Sequence, residues 1–461
     1  MLRDRYDPYS LFDAVPQLGL RFEPELAELD RLLDDDALFG AVRAEMARRA
    51  PHSLTRGRRS TPVEVVLRML VVRRLYDWSY EETERFVGDS LVLRQFCRLG
   101  LAPAPDDTTL IRWAGLVRPA ALDALHGRVV ALARGLRVTR GRKLRTDGTV
   151  VATTMHHPGD SSLLADGVRV LSRLVGRARA LVGAAAGDLC RDRTRSAKWL
   201  ARRIGAAAAR GGERTVAERR RLYGRLLGVA RASLRQADRV SDLLAEVPGA
   251  AAARLRAGLA RFVPLTARAV AQTERRVVRG EAVPAADKVV SLFEPHTAVV
   301  RRGKAGQPTE FGRKVWLDEV DGGVLSRYAV LAGNPPDSAQ VAPALAQHRR
   351  LFGRPPDLLA ADRGGYSPEN ERLARAAGVR RVCLPQPGHR TPDRRALERQ
   401  RWFRRARRFR AGAEGRISVC KRRGWLGRCR DKGADGFARW VGWGVIAANL
   451  TTIARTVAAR A

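Results

Sequence analysis

The hydrophobic period of this chain changes twice, and any fold must respect where. From Phe22 to about Arg137, apolar residues recur at helical spacing. At Lys143 the run KLRTDGTVVATTM turns β-branched and reads as a strand. Residues 161 to 290 return to helical character in an Ala, Arg and Leu rich block, with breaks near Gly211-Gly212, Pro248-Gly249 and Pro284. Strand character resumes after Asp287 in VVSLFE, TAVVRR, GRKVWLDEV and VLSRYAVL, with Asp321-Gly322-Gly323 as a hairpin turn. Then AQVAPALAQHRRLF reads as a helix, DLLAADRGGY as a buried strand ending on Asp362, PENERLARAAG as a helix started by Ser367 and Pro368, and VRRVCLP as a strand. Strands alternating with helices in this way belong to a mixed α/β domain.

The N-terminal part reads as a compact helical module. Thr61, Pro62 and Glu64 predict an N-cap, a first-turn proline and a capping box for PVEVVLRMLVVRRLY. Ser79 and Glu82 repeat the box for YEETERFVGD, and Asp107 is placed to cap TTLIRWAGLV. Leu67, Leu70, Val71, Leu75, Phe86, Leu91, Leu93, Phe96, Leu110 and Trp113 are the expected core. Such a module either binds DNA or packs and dimerises. Further on, Asp160 is expected to cap a long helix, and His156 and His157 read as turn residues.

Charge narrows the partner. The net charge is +38, and the block from 161 to 290 alone carries 27 Lys and Arg against 11 acids. An excess of this size points to a polyanion, with nucleic acid first, because phosphates bind such surfaces by releasing counterions. No apolar run reaches the roughly 18 to 20 residues of a spanning helix, and MLRDRYDPYS lacks the apolar core of a signal peptide, so an intracellular protein without membrane contact is expected. Cys97, Cys190, Cys383, Cys420 and Cys429 are scattered, without a CxxC pair, and are expected to be ordinary reduced thiols.

Against this background three acids stand out. Asp147 lies within a strand, Asp362 at a strand end, and Glu414 in a segment (394 to 432) with 16 Lys and Arg and only three acids. As a helix, RFRAGAEGRISVCK puts Arg410, Glu414 and Lys421 on one face at about 100° per residue. The plainer alternatives are a surface Arg/Glu pair at i, i+4 and an Asp-Gly hairpin turn at Asp147. Clustered acids would repel unless a cation held them, and hard oxygen ligands suit two Mg²⁺ or Mn²⁺ ions working on a phosphodiester.

The R-x3-E-x6-K spacing of Arg410, Glu414 and Lys421 resembles the C-terminal signature of bacterial insertion-sequence transposases of the DDE superfamily, Tyr-x2-Arg-x3-Glu-x6-Lys, with Arg407 standing at the Tyr position. TDGTVV, HPGDSSLLADGVRVL, LLAADRGGYS and LYDWSYEETERFVGDSLVLRQFCRL are also similar to blocks of that family, and the likeness runs from about residue 10 to 455. The resemblance implies a helical DNA-binding or dimerisation domain over 1–137 and an RNase H-like catalytic domain over 138–461, interrupted by a basic helical insertion at about 161–286. It implies that Asp147, Asp362 and Glu414 hold two Mg²⁺ or Mn²⁺ ions and that Arg410, Lys421, Arg407 and Arg422 bind DNA. It further implies double-stranded partners, namely terminal inverted repeats and target DNA, a homo-oligomer on that DNA, and a cytoplasmic, nucleoid-associated location. An RNase H-like nuclease without strand transfer and a non-catalytic DNA-binding repressor remain the alternatives.

Overall fold

A computed structural model describes residues 1–6, 22–183, 190–301 and 309–460, so the start of the resemblance near residue 10 lies outside the described residues. The chain divides into two compact units, 1–152 with 313–461 and 153–312. The first opens with helices α1 (Pro24–Leu33), α2 (Asp36–Ala47), α3 (Val63–Leu75), α4 (Tyr80–Asp89), α5 (Leu91–Phe96), α6 (Asp107–Leu116) and α7 (Pro119–Gly135). Helix α3 is buried on every side, so its arginines must be paired where they lie. Arg68 donates to Asp30 at 2.7 Å and Asp34 at 2.5 Å, and Arg73 donates to Asp431 at 2.9 Å. The guanidinium of Arg74 caps the carbonyls of Gly424 and Trp425.

Three local expectations fail here. Thr61 does not cap α3: Pro62 takes the N-cap place with no side-chain bond, and Glu64 faces Arg68 and Arg5 instead of reaching back. Asp106 caps α6, accepting from Thr109 N–H, because the helix starts one residue earlier, at Asp107. Leu91 is exposed, at the first position of a helix of only six residues. The Ser79/Glu82 box forms as expected.

Strand β1 (Lys143–Ala152) closes this stretch. The second unit follows, with helices α8 (Asp160–Val182), α9 (Thr194–Arg210), α10 (Glu213–Ala245) and α11 (Ala250–Thr273), a π-turn at Glu274–Val278, and strand β2 (Ala298–Arg301). The breaks fall where glycine permits positive φ, at Gly211, Gly212 and Gly249. Leu200 and Ile204 of α9, Leu222 and Leu226 of α10 and Leu163 and Val168 of α8 share one core, while most arginines point outward. Two readings change. VVSLFE is not a strand: Val289 N–H donates to the side-chain oxygen of Gln272 at 2.8 Å, and its apolar residues are simply packed. An apolar run of that length does not distinguish the two. Asp160 is the first helical residue behind the N-cap Gly159, and its carboxylate bonds to distant side chains.

Strands β3 (Thr309–Val320) and β4 (Val324–Val330) form the expected hairpin, turning at Gly322 and Gly323, both at positive φ. A Cβ at Gly322 would collide with the carbonyl of Val138. The first four residues of β3 pair antiparallel with β2. Strands β5 (Leu358–Ala360) and β6 (Arg381–Cys383) complete a sheet of order β4-β3-β1-β5-β6, in which β1, β5 and β6 are parallel and β3 and β4 antiparallel. Helices α12 (Val341–Phe352), α13 (Pro368–Ala376), α14 (Pro392–Arg399), α15 (Arg401–Arg422) and α16 (Gly433–Ala458) flank it, which makes the fold mixed α/β. Asn449 of the buried α16 accepts from Leu325 N–H and donates to Leu325 O, both at 2.8 Å, pairing backbone groups that β4 leaves open. Among the described residues no helix is long and apolar enough to cross a membrane. All five cysteines are free thiols.

Candidate active site

Register brings the first two acids together. Strands β1 and β5 pair in parallel with Arg145 opposite Ala360, so Asp147 and Asp362, each two residues further on, emerge side by side. Asp362 leaves the strand end and caps a short turn at Arg363–Gly365, accepting from Gly365 N–H at 3.2 Å. The two glycines are required by crowding: a Cβ on Gly364 would lie 2.9 Å from Asp337 Oδ2, and one on Gly365 would lie 2.8 Å from the Ala361 methyl. This agrees with a tight-turn role.

Arg145 and Asp147 share one face of β1, since side chains alternate along a strand. Helix α15 covers that face. Arg145 is fixed to β3 by two bonds to Glu319, at 2.8 and 2.6 Å, and donates to the carbonyl of Phe409 in α15 at 2.6 Å. Gly412, one turn on, has no side chain because a Cβ there would strike the Arg145 guanidinium. This close approach delivers Arg410 to the acids. Its Nη2 donates to Asp147 Oδ2 at 3.0 Å and lies 3.9 Å from Asp362 Oδ2, while Nη1 donates to Glu414 Oε1 at 2.8 Å. One guanidinium therefore serves three carboxylates.

The electrostatics are uneven. Burial pushes the Asp147 carboxyl up from its ordinary pKa, against the pull of Arg410 and the Gly148 N–H, and the charges of Asp362 and Glu414 add to the push. Glu414 is 69% exposed, Asp362 35% and Asp147 13%, so the cluster grades from a dry strand to open solvent. The Nε of Arg410 is buried with no hydrogen-bond partner among the described residues, as are those of Arg68, Arg73, Arg74 and Arg416.

The remaining sequence-predicted residues lie on the same helix. Arg407 and Arg422 are exposed, and Lys421 is half-buried in its last turn. The helix runs back past Arg405, so the expected offset between that residue and Glu414 holds. Two neighbours escaped the sequence reading. Lys314 of β3 donates to Asp337 at 2.5 Å, and Asp337 packs on Gly364 beside Asp362. A basic residue inside a strand was the only available signal.

Three carboxylates form the hard-oxygen donor set of a divalent cation. In the arrangement described, the Arg410 guanidinium takes the central position. Among the described residues no group of three or more His, Cys, Asp or Glu is assembled to hold a metal ion. Asp147, Asp362 and Glu414 offer oxygen donors, with Arg410 standing between them.

Residues 19–115 match the family described as Transposase domain (DUF772), a stretch that takes in α1 to α5 and nearly all of α6. No curated protein and no solved structure matches the chain. The matched domain supports a transposase, and with it a DNA partner.

Proposed function

We propose that the protein is a DDE transposase that cuts DNA at the ends of an insertion sequence and joins them to target DNA. The observation that carries this is the meeting of Asp147, Asp362 and Glu414, from a central strand, the end of the neighbouring parallel strand and a following helix, around Arg410. The order β4-β3-β1-β5-β6, with a hairpin on one side and parallel strands on the other, supports an RNase H-like reading of the sheet. In this reading the three acids hold Mg²⁺ or Mn²⁺, which supplies Lewis acidity and activates a water or 3′-hydroxyl.

The chain's own residues do the rest. Asp147 and Asp362 are fixed by strand register, and Glu414 rides on the exposed helix. Arg410 balances the acids while the site is empty of substrate and turns to the phosphates beside the scissile bond when DNA arrives. Lys421, Arg407 and Arg422 extend the same helix as backbone contacts, which position a duplex without reading its sequence.

The test supplies a linear fragment carrying the element's terminal inverted repeats together with a target plasmid, in Mg²⁺. Cut ends joined to the plasmid support the proposal. Cutting of any duplex without joining indicates a nuclease using the same acids, and DNA binding without cutting indicates a repressor.

A further inference from the structure

The segment HPGDSSLL has no part in the chemistry above, although it opens the second unit. Its Asp160 is 8% exposed and fully committed: Gln272 Nε2 donates to Oδ1 at 3.0 Å and Arg276 Nη1 to Oδ2 at 2.7 Å. Gln272 is itself locked to the backbone of Val289. Arg276 sits within the π-turn Glu274–Val278, a distortion frequent at functional sites. Beside this strut lies a cavity of about 210 Å³.

The cavity's charges do not cancel. Asp160 is spent on Arg276, yet Lys288 and Arg301 also line the space, and among the described residues neither has an acid within ion-pair distance. Burial, with Arg276 and Arg301 nearby, pulls the Lys288 ammonium below its ordinary pKa against the smaller opposing effect of Asp160. The other wall is apolar, with Leu163, Val289 and Phe311, and the Phe311 ring meets His157 edge to face at 5.6 Å. A bare phosphate needs no such wall, and the cavity is partly open to solvent, so a bound group can extend beyond it.

We propose that this cavity binds one phosphorylated nucleotide unit, its phosphate held by Lys288 and Arg301 and its base against Phe311. The site lies wholly within residues 153–312, and the proposal does not depend on the strand-cleavage reading.

Equilibrium dialysis of the full-length protein against labelled dAMP, and against a short single strand carrying the same nucleotide at a 5′-phosphorylated end, tests it. Lys288→Gln and Arg301→Gln should each weaken binding about tenfold or more, the usual loss for a charge-assisted contact. Lys288→Arg should retain binding. Phe311→Leu should weaken the nucleotide and leave inorganic phosphate binding unchanged. Arg239→Gln, an exposed arginine of the same block, should change nothing. Binding of dAMP identifies a free nucleotide as sufficient, whereas binding of the 5′-phosphorylated strand alone identifies a strand terminus; both support the site. Three results overturn it: wild-type binding by both Lys288→Gln and Arg301→Gln in proteins that melt like wild type, an equal loss with Arg239→Gln, or displacement by inorganic phosphate as effective as by dAMP. Asp147→Asn should leave this binding intact, which keeps its outcome separate from that of the cleavage test.

Discussion

Asp318 and Asp147 lie on neighbouring strands, and burial raises the pKa of both, yet their surroundings differ in kind. Asp318 is 1% exposed: Arg327 and the Trp316 indole each donate to it at 3.1 Å, and Arg327 is held in turn by Gln340. Asp147 has a share of one guanidinium and its neighbour's N–H, and it faces two further acids. Among the described residues Asp318 is the one acid that Arg327 pairs with, whereas Asp147 shares Arg410 with two other acids. Three acids on one arginine leave negative charge uncompensated, and in the proposed reading that charge is what receives the metal ions.

The sharpest break between the two would come in activity. Asp147→Asn, Asp362→Asn and Glu414→Gln should each reduce cleavage of terminal-repeat DNA to background while duplex affinity, measured by gel shift, stays near wild type. A variant that cuts normally in Mg²⁺ removes its residue from the site. For Asp318 the loss should appear in stability. Asp318→Ala leaves the half-buried Arg327 without its counter-charge, and urea unfolding should show a loss of about 1–3 kcal/mol; an unchanged midpoint would mean that Gln340 and water suffice.

Smaller effects test the cation side. Arg410→Ala and Lys421→Ala should slow single-turnover cleavage roughly 10- to 150-fold if each contact acts in the transition state, with metal dependence unchanged. Arg405→Ala, about 180° around α15 from Glu414, should do far less. Equal losses in all three would indicate a diffuse basic surface. The smallest effect concerns Asp147 again. A carboxyl whose folded pKa is raised stabilises fully below its unfolded pKa and loses that contribution as pH rises through the folded value. At pH 7 Asp147→Asn should therefore melt at or above the wild-type temperature, and the difference should vanish toward pH 4. A lower melting temperature at pH 7 would show that the Arg410 pair outweighs the burial cost.

Where the chemistry is local, the sequence was readable. Strand and helix order apart from VVSLFE, the Gly322-Gly323 turn and the shared face of Arg410 and Glu414 follow from spacing. Long-range pairings were not. Asp160 looks like a cap in its own segment, and only its contact with Gln272 and Arg276, over a hundred residues away, shows it as a strut. Nor could Asp318 be told from a solvent-facing acid in WLDEV before β4 had supplied Arg327. Asp337 follows two prolines in a loop, and its place beside Asp362 depends on the fold of Gly364. Thr61 and Asp107 fail more simply, by one position of helix start.

Gly412 and Arg145 also constrain each other. The arginine fills the space that a side chain at 412 would need, and its bonds to Glu319 and Phe409 leave it nowhere to retreat. In descendants of this chain, residue 412 can grow only where residue 145 has first shortened, and a shortened residue 145 releases the helix that carries Arg410 and Glu414. The two positions should drift together or stay fixed together, and a chain that has lost one while keeping all three acids should hold those acids in a looser arrangement.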